Sequence, residues 1–93
     1  MKTVTIQIGN SDDKLGQKSW SKFISEIRAI VGDHCGQVHF DGGSRFDSQW
    51  QNVCIVAEVQ EIDQQKLCDK IRNVRSKFWQ DAVAVTFGET AMI

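Results

Sequence analysis

The chain has no proline, so nothing in it reads as a rigid linker. It has no run of about 18 apolar residues, and a membrane-spanning helix is therefore not expected. Met1-Lys2-Thr3-Val4-Thr5-Ile6 is too short and too alternating for a signal peptide. The three cysteines, Cys35, Cys54 and Cys68, are odd in number and lack paired spacing. They fit a reducing, cytoplasmic setting better than a secreted disulfide scaffold. Charge of one sign is also lacking: the formal net charge is -1 and the pI about 6.0. A nucleic-acid binder usually shows a basic face, so nucleic acid is not the expected partner. There is no internal repeat, no low-complexity tract, and no Walker-type or dinucleotide fingerprint.

What remains is ordinary globular material, and its 93 residues make one domain with a modest core. Thr3 to Ile8 alternates strictly, with Val4, Ile6 and Ile8 on one side, as in a half-buried strand. Gly9-Asn10-Ser11-Asp12-Asp13 supplies turn formers. Trp20, Phe23, Ile24, Ile27, Ile30 and Val31 then fall at helical spacing, which predicts a helix over Gln17 to Val31. Gly16 stands at its N-cap and Gly32 at its stop.

Gln37 to Asp41 reads as a second strand, with Val38 and Phe40 inward and His39 outward. Val53 to Val59 reads as a third, apolar on both faces around Val53-Cys54-Ile55-Val56-Ala57 and hence central. Leu67, Ile71, Val74 and Phe78 form one stripe and predict a second helix over Gln64 to Lys77, N-capped by Asp63. Ala82 to Phe87 is the last strand, and Trp20 and Trp79 read as mainly structural. The order strand, helix, strand, strand, helix, strand predicts an α+β ferredoxin-like sandwich. Its four-stranded antiparallel sheet carries two helices on one face, with the first and third strands in the centre.

In that arrangement the opposite face carries Thr5, Gln7, His39, Cys54, Val56, Glu58, Ala82, Ala84 and Thr86. Its centre is small and apolar, which points to a homo-oligomer. RNA-recognition motifs share this element order, but they stack bases on aromatics at these outward positions, and none stands there.

The segment from Phe40 to Asn52 has no apolar periodicity and gathers the residues suited to a small anionic or nucleotide-like ligand. Gly42, Gly43 and Ser44 offer backbone and hydroxyl donors, and Arg45 a forked cation for phosphate. Phe46 and Trp50 offer aromatic faces for a base, and His39 borders the set. The plain alternative is a hairpin connection between the second and third strands, with at least one aromatic in the core. His34, Cys35 and His39 are too loosely spaced for a zinc site, and no metal or cofactor is expected. His39 with Asp41, on one face of one strand, is the only acid–base pair the sequence suggests. Asp12 and Asp13 lie in a turn near a helix N-terminus, where carboxylates are stabilising in themselves. Lys70, Arg72, Arg75 and Lys77 form a basic half-helix that reads as a solvated face.

Three segments resemble small proteins encoded by bacteriophages. They are Ile8-Gly9-Asn10-Ser11-Asp12-Asp13-Lys14-Leu15 with Trp20 soon after, then Trp50-Gln51-Asn52, then Gln80-Asp81-Ala82-Val83-Ala84 with Gly88-Glu89-Thr90. The related pattern has Thr then Glu as a capping box, where this chain has Gly16 and Ser19. The resemblance implies a phage source and assigns no residue a role. It implies an accessory counter-defence protein in the host cytoplasm. One expectation is a non-catalytic oligomer that sequesters a host immune nucleotide, of the cyclic ADP-ribose or cyclic dinucleotide type. A second is an anti-CRISPR-type inhibitor that binds a host defence protein directly. A third is an enzyme that cleaves the nucleotide signal, resting on His39 and Asp41.

Overall fold

The computed structural model describes residues 2–45, 48–91 and 93. The elements run β1 (Lys2–Gly9), α1 (Gln17–His34), β2 (Val38–Gly43), β3 (Asn52–Val59), α2 (Gln64–Lys77) and β4 (Ala84–Gly88). Short 3-10 turns at Ser11–Asp13 and Glu61–Asp63 precede the two helices. The sheet has the order β2-β3-β1-β4, every neighbouring pair antiparallel. This is the ferredoxin-like arrangement, with β1 and β3 central.

The period-2 pattern of the central strands puts Val4, Ile6, Ile8, Val53, Ile55, Ala57 and Val59 inward, all buried. Trp20, Phe23, Ile24, Ile27 and Val31 of α1 and Leu67 and Ile71 of α2 close over them. The Phe23 and Phe78 rings pack with centroids 5.2 Å apart, and Trp20 meets Phe23 edge-on at 6.0 Å. Lys77 of α2 also reaches Glu26 of α1.

Several boundaries differ from the sequence reading. Helix α1 does not stop at Gly32. It continues to His34, where the Cys35 N–H still donates to the Val31 carbonyl at 2.9 Å. One interior glycine costs about 1 kcal/mol, which the buried α1 stripe outweighs. Gly16 is the N-cap of α1, as expected. Asp63 occupies the N-cap of α2, but its backbone is helical after the 3-10 turn and its side chain makes no capping bond. Strand β4 starts at Ala84, two residues later than the alternation suggested.

The largest departure is in β2. Val38 pairs with Ala57 and Phe40 with Val56, so His39 is an extra residue on the edge strand. This bulge turns Phe40 to the open face of the sheet, where it is 54% exposed, and Asp41 to the helix side. The strand then runs on through both glycines: Gly42 pairs with Cys54 and Gly43 with Val53. Gly42 lies beneath the Phe40 ring, the nearest ring carbon being 2.7 Å from where a Cβ would stand.

Three segments far apart in sequence meet at one end of the sheet. Asn10, buried at 5% exposure, donates from Nδ2 to the Leu15 carbonyl (2.7 Å) and to Gln51 Oε1 (2.8 Å). Its Oδ1 accepts the Leu15 N–H at 3.0 Å. Gln80, also buried, accepts the Ser11 N–H at 2.7 Å, and the Asp81 N–H donates to the Ser11 hydroxyl. The amides thus stand in for backbone partners that the turns cannot supply.

Candidate functional site

A cleft of about 330 Å³ opens between the N-terminal half of α1 and the end of the β2–β3 hairpin. Helix α1 contributes Gln17, Trp20, Ser21, Ile24 and Arg28; the hairpin contributes Gly43, Ser44, Arg45, Gln51, Asn52 and Val53. The α1 residues step by three and four, so they form one stripe on successive turns. Trp20, Ile24 and Val53 are buried and make an apolar floor. The rim is made of side-chain amides, two hydroxyls and two guanidinium groups. Among the described residues that line it, none is Asp, Glu, His or Cys. A second hollow of about 280 Å³ shares Gln17 and Gln51 with the first and reaches Gly16 at the start of α1. The first turn of α1 contains no acidic residue, so its positive end is uncompensated from within the helix, but Asp13 lines the second hollow beside Gly16.

The hairpin end is held closed by hydrogen bonds. The Ser44 N–H donates to the Asn52 carbonyl at 2.9 Å, and the Asn52 N–H donates to the Ser44 hydroxyl oxygen at 3.1 Å. Gln51 Nε2 donates to Gln17 Oε1 across the cleft. Arg28 donates from Nε and Nη2 to the two oxygens of Asp41, both at 2.8 Å. That bond raises the Arg28 pKa further above its ordinary value, and its guanidinium is cationic throughout the working range.

Of the sequence-derived candidates, Gly43, Ser44 and Arg45 line the cleft together. Gly42 does not, because it faces the opposite side of the sheet under Phe40. A glycine-built anion nest is not formed either. No described glycine has positive φ, and Gly42 and Gly43 are extended strand residues. The Ser44 N–H is committed to Asn52, leaving its hydroxyl proton as the available donor. Trp50 is 56% exposed and stands outside the cleft lining; Phe46 lies outside the described residues. His39 sits on the open face with Nε2 3.2 Å from Glu58 Oε1. The bulge separates it from Asp41, so the acid–base pair suggested by strand alternation does not exist. Among the described residues, no group of three or more His, Cys, Asp or Glu is placed to hold a metal ion. Burial pushes the Cys35 thiol pKa up, which makes it a poorer nucleophile.

Sequence reasoning missed Gln17, Ser21 and Arg28. Their 17, 21, 24, 28 spacing with Ile24 was the available signal. Trp79 also differs from its structural reading: it is 76% exposed, with a left-handed backbone at φ 54° just after α2.

No family model and no curated protein matches the sequence. Among solved structures, the chain is similar to the C-terminal domain of the MgtC protein from Mycobacterium tuberculosis. The TM-score is 0.58 at 10% identity, covering 99% of this chain and 93% of that one. It is also similar to a candidate antibiotic biosynthesis monooxygenase from Caulobacter crescentus. There the TM-score is 0.57 at 9% identity, covering 98% of this chain and 90% of the other. At such identities the likeness shows the shared ferredoxin-like fold alone. No helix among the described residues is long and apolar enough to cross a membrane.

Proposed function

We propose that the chain is a phage counter-defence protein that binds a nucleotide signal, of the cyclic ADP-ribose or cyclic dinucleotide type, and holds it without reacting with it. One observation carries the reading. Gly43, Ser44 and Arg45 meet Gln17, Ser21 and Arg28 around one cleft whose described lining is free of carboxylates. Guanidinium and hydroxyl groups suit phosphate, and side-chain amides suit the edge of a base. A described lining without Asp, Glu, His or Cys supports retention over hydrolysis, because it offers no general base to activate water or the Ser21 and Ser44 hydroxyls. The volume stands at the low end of small-molecule sites, roughly 300–1,000 Å³. A mononucleotide-sized portion matches the first hollow in volume, and the uncharged part of a larger ligand would reach past the start of α1 into the second, where Asp13 disfavours a phosphate.

Titration calorimetry with cyclic ADP-ribose and with cyclic dinucleotides tests this. Arg45→Ala is expected to weaken binding by about 1.5–3 kcal/mol, the range for a charged hydrogen bond. Unchanged affinity in that variant removes the cleft from the account.

A second reading, direct inhibition of a host defence protein, is supported by Trp79. A large aromatic held in backbone that favours glycine, and left 76% exposed, is poorly explained by the chain's own stability. Aromatic anchors of that kind are common in protein interfaces.

A further inference from the structure

We infer that the open face of the sheet is the contact between two copies of this chain. The face lies on the other side of the sheet from the cleft, so the inference stands apart from the ligand reading.

The register sets out what the face presents. Phe40, Val56, Thr5 and Thr86 form one row across the four strands, and Gly42, Cys54, Gln7 and Ala84 form the next. These two rows contain no ionisable side chain except the Cys54 thiol. The contact between His39 and Glu58 stands at one corner. A sheet face kept in water normally alternates apolar-in with strongly polar-out. Here about a quarter of the chain is charged, yet the centre of the one uncovered face is not.

The two edges of the face are unequal in size. The β2 edge carries Phe40, turned outward by the bulge and lying over Gly42. The β4 edge carries Ala84 and Thr86, both exposed. A two-fold axis parallel to the strands, through the middle of the face, lays the β2 edge of one copy on the β4 edge of the other. Each Phe40 ring then meets Thr86 and Ala84, and Val56 meets Thr5. The face is therefore complementary to itself in shape and in its lack of charge, as an isologous contact requires.

The area fits a weak contact. Strands of six, eight, eight and five residues, about 4.8 Å apart and of about 3.3 Å rise per residue, give a flat face on the order of 430 Å². Two copies bury roughly 900 Å² before side-chain relief is counted, in the range of weak, transient interfaces. A modest dimer, dissociating in the micromolar range, is the expected strength.

Sedimentation velocity across a concentration series tests the inference on the full chain. Wild-type protein is expected to pass from monomer to dimer with rising concentration. Phe40→Arg and Val56→Glu should each leave a monomer, and Arg72→Glu on the exposed side of α2 should leave the dimer intact. Circular dichroism checks that each variant is folded; Phe40 is an exposed edge residue, so its variant tests the contact even if Val56→Glu unfolds. A wild-type monomer at every concentration overturns the inference, as does a dimer that survives Phe40→Arg.

Discussion

Arg28 of α1 holds Asp41 of β2 through two hydrogen bonds of 2.8 Å, one from Nε and one from Nη2. The pair ties the first helix to the edge strand and exists only because the bulge at His39 turns Asp41 inward. It also limits the cleft, since the Arg28 guanidinium is already partly neutralised.

Asp41→Asn therefore has two opposed effects. Losing a partly exposed ion pair should lower stability by about 0.5–1 kcal/mol. Releasing Arg28 toward the cleft should raise the affinity for an anionic ligand several-fold. Chemical denaturation and calorimetry on the same variant read the two separately. Affinity that falls along with stability contradicts an electrostatic role for the cleft.

The glycines of β2 should differ from each other. A Cβ on Gly43 would stand 2.4 Å from the Asn52 carbonyl oxygen, which is backbone and cannot move aside cheaply. Gly43→Ala is expected to cost about 1–3 kcal/mol in urea unfolding. At Gly42 the obstacle is the Phe40 ring, which can rotate away, so Gly42→Ala should cost less. Equal costs would count against this reading of the hairpin end.

Trp79 sits at φ 54°, where glycine is the favoured residue. Trp79→Gly should raise stability by about 0.5–1 kcal/mol, measured by thermal unfolding. A large loss instead would mean that the exposed ring packs on its own chain.

Legibility in the sequence followed the strength of the periodic signal. Val4, Ile6 and Ile8 gave β1, Leu67 and Ile71 gave α2 with its ends, and the two-sided apolar run at Val53 to Ala57 gave the central place of β3. The bulge at His39 left no pattern, because Val38 and Phe40 alternate as if the strand were regular. That one inserted residue moved Phe40 to the open face, separated His39 from Asp41 and carried Gly42 and Gly43 into the sheet. At the cleft, the hairpin half (Gly43, Ser44, Arg45) was readable from residue type. The helix half was not, because Ser21 and Arg28 resemble any solvated helix surface until the hairpin packs beside them. Asn10, Gln51 and Gln80 carry no periodic or catalytic signal in the sequence. Their hydrogen bonds show a physical use for them, since buried amides close the turns at one end of the sheet.

Native mass spectrometry tests the central claim most directly, on protein purified from bacteria whose nucleotide-signalling defence is active. The account predicts added mass of nucleotide size on the wild-type chain and its loss from Arg45→Ala. Wild-type protein that carries no such mass, whether monomer or dimer, would contradict it.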